Sequence, residues 1–356
     1  MPFQPDKDIV DMGMRLVRAS VASGLEVIGR LQTAATGDQT TRELLRGAMD
    51  APNAPESIHR LASAYGSLLR DLALIPPLAA ARFIDEFGGP GQSVMPESGF
   101  CVDGKPVMLP ARVHAASQGS AYYLVPSSGV ERILQANDEP FAAFEIMPGE
   151  TPLAVFFIDY RDSDLGSYYE LGVAFFVLPT DWIAVPGMSV RVLPVNQEFT
   201  QAAGRTIWGY PKTLMPEMQI TYAEHEVRCT LDRNHDDLLR LALPRGGTAG
   251  SHEIPIYSYT LVDGTSYCTR FVRSGRQESI RLRPDVDLRL GSERSQNCLC
   301  RGAQDASCIC RSLRELGLPK TPVCSTWTEH MSGRFEAPVA LVPSAAPDGG
   351  AISRSP

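Results

Sequence analysis

The sequence predicts an α+β chain that is mainly β: an antiparallel β-barrel or sandwich preceded by a helical extension. Two textures predict it. Up to about residue 92, apolar residues recur every three or four positions, the period of a helix face. From about Ser98 they come instead in short continuous or alternating runs separated by Pro, Gly, Asn and Asp, the punctuation of strands and turns. A third observation chooses among β architectures. No long helical pattern separates the later runs, so an antiparallel barrel or sandwich is expected rather than a doubly wound parallel sheet.

The elements follow in order. Val10, Met14, Val17, Val21, Leu25 and Ile28 form one apolar stripe. Gly37-Asp38-Gln39-Thr40 interrupts it, and Thr40 or Thr41 is placed to cap a short helix through Met49. After Pro52 and Pro55, helical spacing resumes with Ile58, Leu61, Tyr65, Leu68, Leu69 and Leu72. These helices are expected to cover the β domain or to form a subunit interface. Phe87-Gly88-Gly89-Pro90-Gly91-Gln92 reads as a linker. It makes a poor phosphate loop, because Pro90 lacks an amide donor and no Lys-Ser/Thr follows. The expected division is therefore a helical extension over 1–92, a β domain over 93–342 and a disordered tail over 343–356. Strands are expected at 121–125, 141–147, 153–158, 173–178, 189–193, 218–222, 227–231, 238–243, 257–261 and 339–342.

Composition narrows the function. The chain has 356 residues, 44% of them hydrophobic, with a net charge of -8. That is enough apolar residue for a sizeable core, and the acidic balance argues against nucleic acid or an anionic membrane as partner. No stretch reaches the roughly 20 apolar residues of a membrane helix, and the N-terminus lacks a signal-peptide pattern, so a cytoplasmic location is expected by default. The eight cysteines are then expected as thiols. Cys298-Leu299-Cys300 and Cys308-Ile309-Cys310 lack the usual zinc spacing, so an insertion loop with free thiols and no metal is expected, with a four-thiolate metal site and a redox-labile cluster as the alternatives. The six histidines are scattered, and no HExxH, Gly-x-Ser-x-Gly or dinucleotide pattern appears.

One segment carries chemistry. Lys212 lies among Ile207, Trp208, Tyr210, Pro211, Leu214 and Met215. A free lysine has a pKa near 10.4, so only about 0.04% is the nucleophilic neutral amine at pH 7. An apolar setting lowers that pKa by penalising the charged form, and so activates the amine. A lysine at a strand end can also simply snorkel into water.

The whole string from Gly204-Arg205 to Tyr210-Pro211-Lys212 resembles the catalytic-lysine segment of the acetoacetate decarboxylases. Phe144-Glu145-Ile146-Met147 and Leu165-Gly166-Ser167-Tyr168-Tyr169-Glu170-Leu171-Gly172 resemble the family's two glutamate-bearing segments, in the right order. Asn196-Gln197-Glu198 and His330-Met331-Ser332-Gly333-Arg334-Phe335 fit the same alignment, which spans roughly residues 100 to 342. The resemblance implies an acetoacetate decarboxylase-like barrel or cone and a homo-oligomeric lyase that needs no cofactor. It further implies a small keto acid or ketone as substrate. Lys212 would be the Schiff-base lysine, with Glu145 and Glu170 as the other catalytic groups. Gln118, Trp208, Tyr210 and Arg205 would bind substrate or brace the segment.

Two departures qualify the reaction. Thr213 stands where the family has a second lysine. Gln118, in Ala115-Ala116-Ser117-Gln118-Gly119-Ser120, stands where it has a carboxylate-binding arginine. Decarboxylation of a β-keto acid leads the expectation; aldol, dehydration or cyclisation chemistry on the same lysine, and a non-catalytic binding module, are the alternatives.

Overall fold

A computed structural model describes residues 98–146, 148–180, 186–233, 236–246, 248–282, 284–291 and 309–341. The expected N-terminal helices, the linker, the tail from 343 on, and Cys298, Cys300 and Cys308 lie outside these residues. The chain runs β1 (Ser98–Val102), β2 (Lys105–Leu109), β3 (Ala111–Pro126), α1 (Ser127–Gln135), β4 (Phe141–Ala143), β5 (Glu150–Ser163), β6 (Tyr168–Pro179) and β7 (Gly187–Val195). It continues through α2 (Glu198–Trp208), β8 (Lys212–Leu214), β9 (Gln219–Tyr222), β10 (Glu226–Arg233), β11 (Asp236–Pro244), β12 (Thr248–Val262) and β13 (Thr265–Leu282). The last described elements are β14 (Asp287–Leu290), α3 (Ile309–Glu315), β15 (Cys324–Phe335) and β16 (Val339–Ala340).

The long strands pair in the order β6-β5-β3-β15-β13-β12-β7, and β7 also pairs with β6, so seven strands close into a ring. Every pairing in the ring is antiparallel except β12 with β7. Closure removes the unpaired edges that an open sheet of this length would expose. The mainly β, ring-like architecture expected from the sequence is the one observed. A four-stranded sheet, β14-β11-β10-β9, covers part of the outside, and β1-β2 forms a separate hairpin.

The strand sequences explain this layering. In β5 the run from Thr151 to Tyr160 is buried on both faces, which is why it reads as a continuous apolar stretch rather than an alternating one. Its Leu153, Val155 and Phe157 join Cys229, Leu231, Leu239 and Leu241 of the four-stranded sheet in one core. Ala154, Phe156, Ile158 and Tyr160 point the other way and join a second core with Trp208, Tyr210 and Phe271. Asp-Gly pairs with positive φ turn the chain between β1 and β2 (Asp103-Gly104) and between β12 and β13 (Asp263-Gly264), as short hairpin loops require.

Two expectations change at this level. The strand expected over 141–147 stops at Ala143. The segment before Lys212 contains a helix, α2, which the apolar spacing of Ile207, Trp208 and Tyr210 did not reveal.

Candidate active site

Residues from all seven ring strands line one cavity, so the cavity lies inside the ring. Its volume is about 150 Å³, roughly ten times the space one water needs, which suits a small molecule. Most of its wall is apolar, including Phe156, Ile158, Trp208, Ile256 and Phe271.

Lys212 enters this cavity from β8, the short strand that pairs in parallel with β7 through Leu193 and Lys212. Local sequence sets its position. Gln197 caps α2 by accepting from the Thr200 amide at 2.7 Å. Gly209 ends the helix in the left-handed conformation (φ 68°), with the Gly209 and Tyr210 amides donating to the Arg205 and Gly204 carbonyls. Pro211 follows, and the chain enters β8 at once. Gly204 matters for a different reason: a Cβ there would stand 2.4 Å from Lys212 Cδ. The lysine stem therefore lies in a notch on the helix that only glycine leaves open.

The lysine is 4% exposed, and its Nζ lies 2.8 Å from Glu170 Oε2. Glu170 is itself 5% exposed, so the pair is desolvated. Tyr160 donates to the other carboxylate oxygen at 3.3 Å. The Tyr168 ring lies under the amine, with Nζ 5.0 Å from its centroid, and stacks on Tyr160 with centroids 4.3 Å apart. Burial, reinforced by the Glu170 carboxylate, pushes both phenols well above their ordinary value of 10, so both remain neutral donors at physiological pH. A lysine, a carboxylate and two phenols thus meet in a nearly water-free wall.

The other expected residues divide. Trp208 and Tyr210 line the cavity. Trp208 Nε1 donates to the Glu336 carbonyl at 3.0 Å, and the Tyr210 hydroxyl is 2.8 Å from the Ser258 hydroxyl, so both rings are fixed. Gln118 lines the cavity as well; its Nε2 donates to Ser120 Oγ at 3.2 Å, and its buried Oε1 has no hydrogen-bond partner. The structure does not bring Glu145 or Arg205 to the cavity. Glu145 is exposed beyond the end of β4, where the neighbouring Phe144 takes the inward position and Glu145 is left outside. Arg205 is exposed in the last turn of α2, although its neighbour Gly204 touches the lysine stem. The Thr213 hydroxyl, beside Lys212, is buried without a partner.

Several cavity residues escaped the sequence reading. Tyr160 sits in a run that looks like plain core. Tyr168 stands two residues before Glu170, which puts both on one face of β6, a period-two signal that was available. Arg273 and Glu278 of β13 and Thr328 of β15 also line the cavity. Arg273 is buried, and its Nη2 donates to Glu278 Oε1 and Thr328 Oγ1. Among the described residues no cluster of three or more His, Cys, Asp or Glu could hold a metal. Cys310 is buried in α3, its thiol directed at the Leu238 carbonyl.

Residues 109–273 match the family model for acetoacetate decarboxylase. That stretch of the chain is similar to acetoacetate decarboxylase. The matched segment holds Gln118, Tyr160, Tyr168, Glu170, Lys212 and Arg273, most of the polar wall just described. Several solved structures are similar to this chain. One acetoacetate decarboxylase is 16% identical with a TM-score of 0.47, the match covering 67% of this chain and 91% of that one. Another, from Legionella pneumophila, is 14% identical with a TM-score of 0.47, covering 74% and 96%. The enduracididine biosynthesis enzyme MppR, solved with pyruvate, is 10% identical with a TM-score of 0.42, covering 65% and 90%. No curated protein matches the sequence. Among the described residues no helix is long and apolar enough to cross a membrane.

Proposed function

We propose that this chain is a carbon-carbon lyase that forms a Schiff base through Lys212 with a small keto acid, with decarboxylation of a β-keto acid as its reaction. The observation that carries this reading is the placement of Lys212 Nζ inside the cavity, 2.8 Å from Glu170. A structural lysine has no need of such a setting, since its charge is better solvated outside.

The chemistry follows from the neighbours. Glu170 accepts a proton from Nζ, which leaves two neutral groups and a free lone pair on nitrogen. The amine adds to the substrate carbonyl, and loss of water gives an iminium. Cleavage of the bond to the carboxylate releases CO2 and sends the electron pair into the iminium, forming an enamine. Loss of water in the iminium step carries off the proton that Glu170 had taken, so the proton that reaches the enamine carbon comes from a solvent water through the Tyr160–Glu170 relay, and a second water then hydrolyses the new iminium to ketone and the lysine amine. The apolar walls favour the step that destroys charge: a carboxylate and an iminium become neutral CO2 and enamine.

The test is release of CO2 from a β-keto acid such as acetoacetate, in wild type and Lys212→Met. Release that disappears in the variant supports the reading. A wild type that forms the lysine adduct without releasing CO2 points to aldol or dehydration chemistry. A folded wild type that does neither leaves the binding-module alternative. Location in the cytoplasm and assembly into a homo-oligomer belong to the same proposal, and gel filtration tests the second.

A further inference from the structure

We infer that Arg273, together with Gln118, is the carboxylate-binding and specificity-determining pole of this cavity, standing across the ring from Lys212. The assignment rests on the Schiff-base reading of Lys212 and adds to it the requirement that the substrate be bifunctional: a carbonyl at one end and a carboxylate at the other.

The strand register supplies the geometry. Glu170 pairs with Ile158, Ile158 with Gln118, Gln118 with Thr328, and Thr328 with Glu278, one row across five neighbouring strands. All five residues line the cavity. The row begins at the carboxylate that holds Lys212 and ends on β13, beside Arg273. In a ring of seven strands, β6 and β13 are separated by four steps one way and three the other, so they face each other. Seven strands at about 4.8 Å spacing make a ring roughly 11 Å across before tilt widens it. With the Lys212 and Arg273 side chains projecting from both walls, the interval left between them is that of a short keto acid.

The chemistry of the far pole points to an anion. Arg273 is 8% exposed, and a guanidinium so buried has to be matched by acceptors. Glu278 and Thr328 occupy one of its nitrogens, Nη2. Its Nε is buried with no hydrogen-bond partner. Gln118 Oε1 is in the same condition, and its register partner Thr328 touches Arg273. A half-turn of the Gln118 amide lets Oε1 accept from the Ser120 hydroxyl and turns Nε2 to the cavity as a donor. Arg273 Nε and Gln118 Nε2 then offer two N–H groups to one carboxylate. Glu278 remains paired with Arg273 and Thr328, which offsets its repulsion of the incoming anion and fixes the guanidinium plane. Most of the remaining wall is apolar, and Lys212 and Arg273 are the only cations among the described lining residues, so a misplaced carboxylate finds no second guanidinium there. Gln118 stands where a family arginine was expected, and Arg273 supplies the guanidinium from another strand.

The test compares 4-oxopentanoate with 5-methylhexan-2-one, in which an isopropyl group replaces the carboxylate. Each is incubated with protein and borohydride, and the concentration giving half-maximal reduced adduct on Lys212 is read by mass spectrometry. The keto acid is expected to half-saturate wild type at a concentration lower by about tenfold or more, the worth of one charged hydrogen-bond pair. Arg273→Met is expected to bring the ratio of the two concentrations toward one, and Arg273→Lys to restore part of it. Should Arg273→Met fail to fold, Gln118→Leu is read the same way, with a reduced ratio expected. Equal half-saturation of wild type by both ketones overturns the assignment of Arg273 while leaving the Schiff-base reading intact. So does a ratio that survives the substitutions. Failure of both ketones to label Lys212 overturns both readings.

Discussion

Gly204→Ala isolates the placement of the lysine amine from the stability of the fold. The added Cβ would stand 2.4 Å from Lys212 Cδ and 2.6 Å from Cε, whereas carbon atoms in ordinary contact sit about 3.5 to 4.0 Å apart. The stem must therefore move by about 1 Å or more. It has little room to do so, because β8 holds its Cα beside Leu193 and Glu170 holds its tip at 2.8 Å. A displacement of about 1 Å at a reacting atom costs on the order of a hundredfold in rate. Alanine meanwhile favours the interior of α2 by about 1 kcal/mol over glycine, against overpacking strain of about 1 to 3 kcal/mol, so net stability changes by no more than about 2 kcal/mol. The expected outcome is a Tm within several degrees of wild type and borohydride trapping of a keto acid slowed about a hundredfold. A folded Gly204→Ala protein that traps at the wild-type rate would refute the claim that the glycine notch places Nζ.

Three further predictions concern groups on either side of the cavity. Lys212→Met strands Glu170 in the wall and is expected to cost about 3 to 5 kcal/mol in denaturant unfolding, most of it recovered when Glu170→Leu is added; equal stabilities of single and double variants would contradict a coupled buried pair. Outside the cavity, the Arg245 guanidinium donates to Glu329 at 2.7 and 3.1 Å and holds that carboxyl below its ordinary 4.5. Since the folded value lies below the unfolded one, this stabilisation is present above about pH 4.5 and is lost as pH falls through the folded value. Arg245→Met is thus expected to flatten the acid limb of a stability-against-pH curve, and an unchanged limb would remove Arg245 as the cause. Burial pushes the Cys268 and Cys324 thiols up to about 12, so alkylation of the native protein at pH 8 is expected to spare both and to modify the exposed Cys101; rapid labelling of either buried thiol would contradict their environment.

The strands most legible in the sequence are those whose inward and outward faces both meet apolar neighbours. β5 and β6 are buried on both sides, and their apolar runs announced them. β13 shows no strand pattern, and β15 shows only through the resemblance over residues 330–335, for a physical reason. Their inward faces carry Arg273, Glu278 and Thr328 toward the cavity, so the residues that break the hydrophobic pattern are those that build the polar pole. Lys212 and Glu170 were legible because a resemblance named them, and the structure brings them within 2.8 Å of each other. The sequence places Glu145 in a strand over 141–147, which ends at Ala143. Side chains alternate along an extended segment, so with Phe144 buried on the inner side its neighbour faces solvent. The register row from Glu170 to Glu278 depends on five strands distant in sequence, and no local pattern encodes it.

Covalent chemistry at the Lys212 nitrogen is the centre of the proposed function. The most direct measurement is borohydride reduction of the protein with a small keto acid or ketone, followed by peptide mass spectrometry. The predicted result is one reduced adduct, on the peptide containing Lys212, absent from Lys212→Met. An unmodified Lys212 peptide from folded protein, or labelling that persists in Lys212→Met, would contradict the central claim.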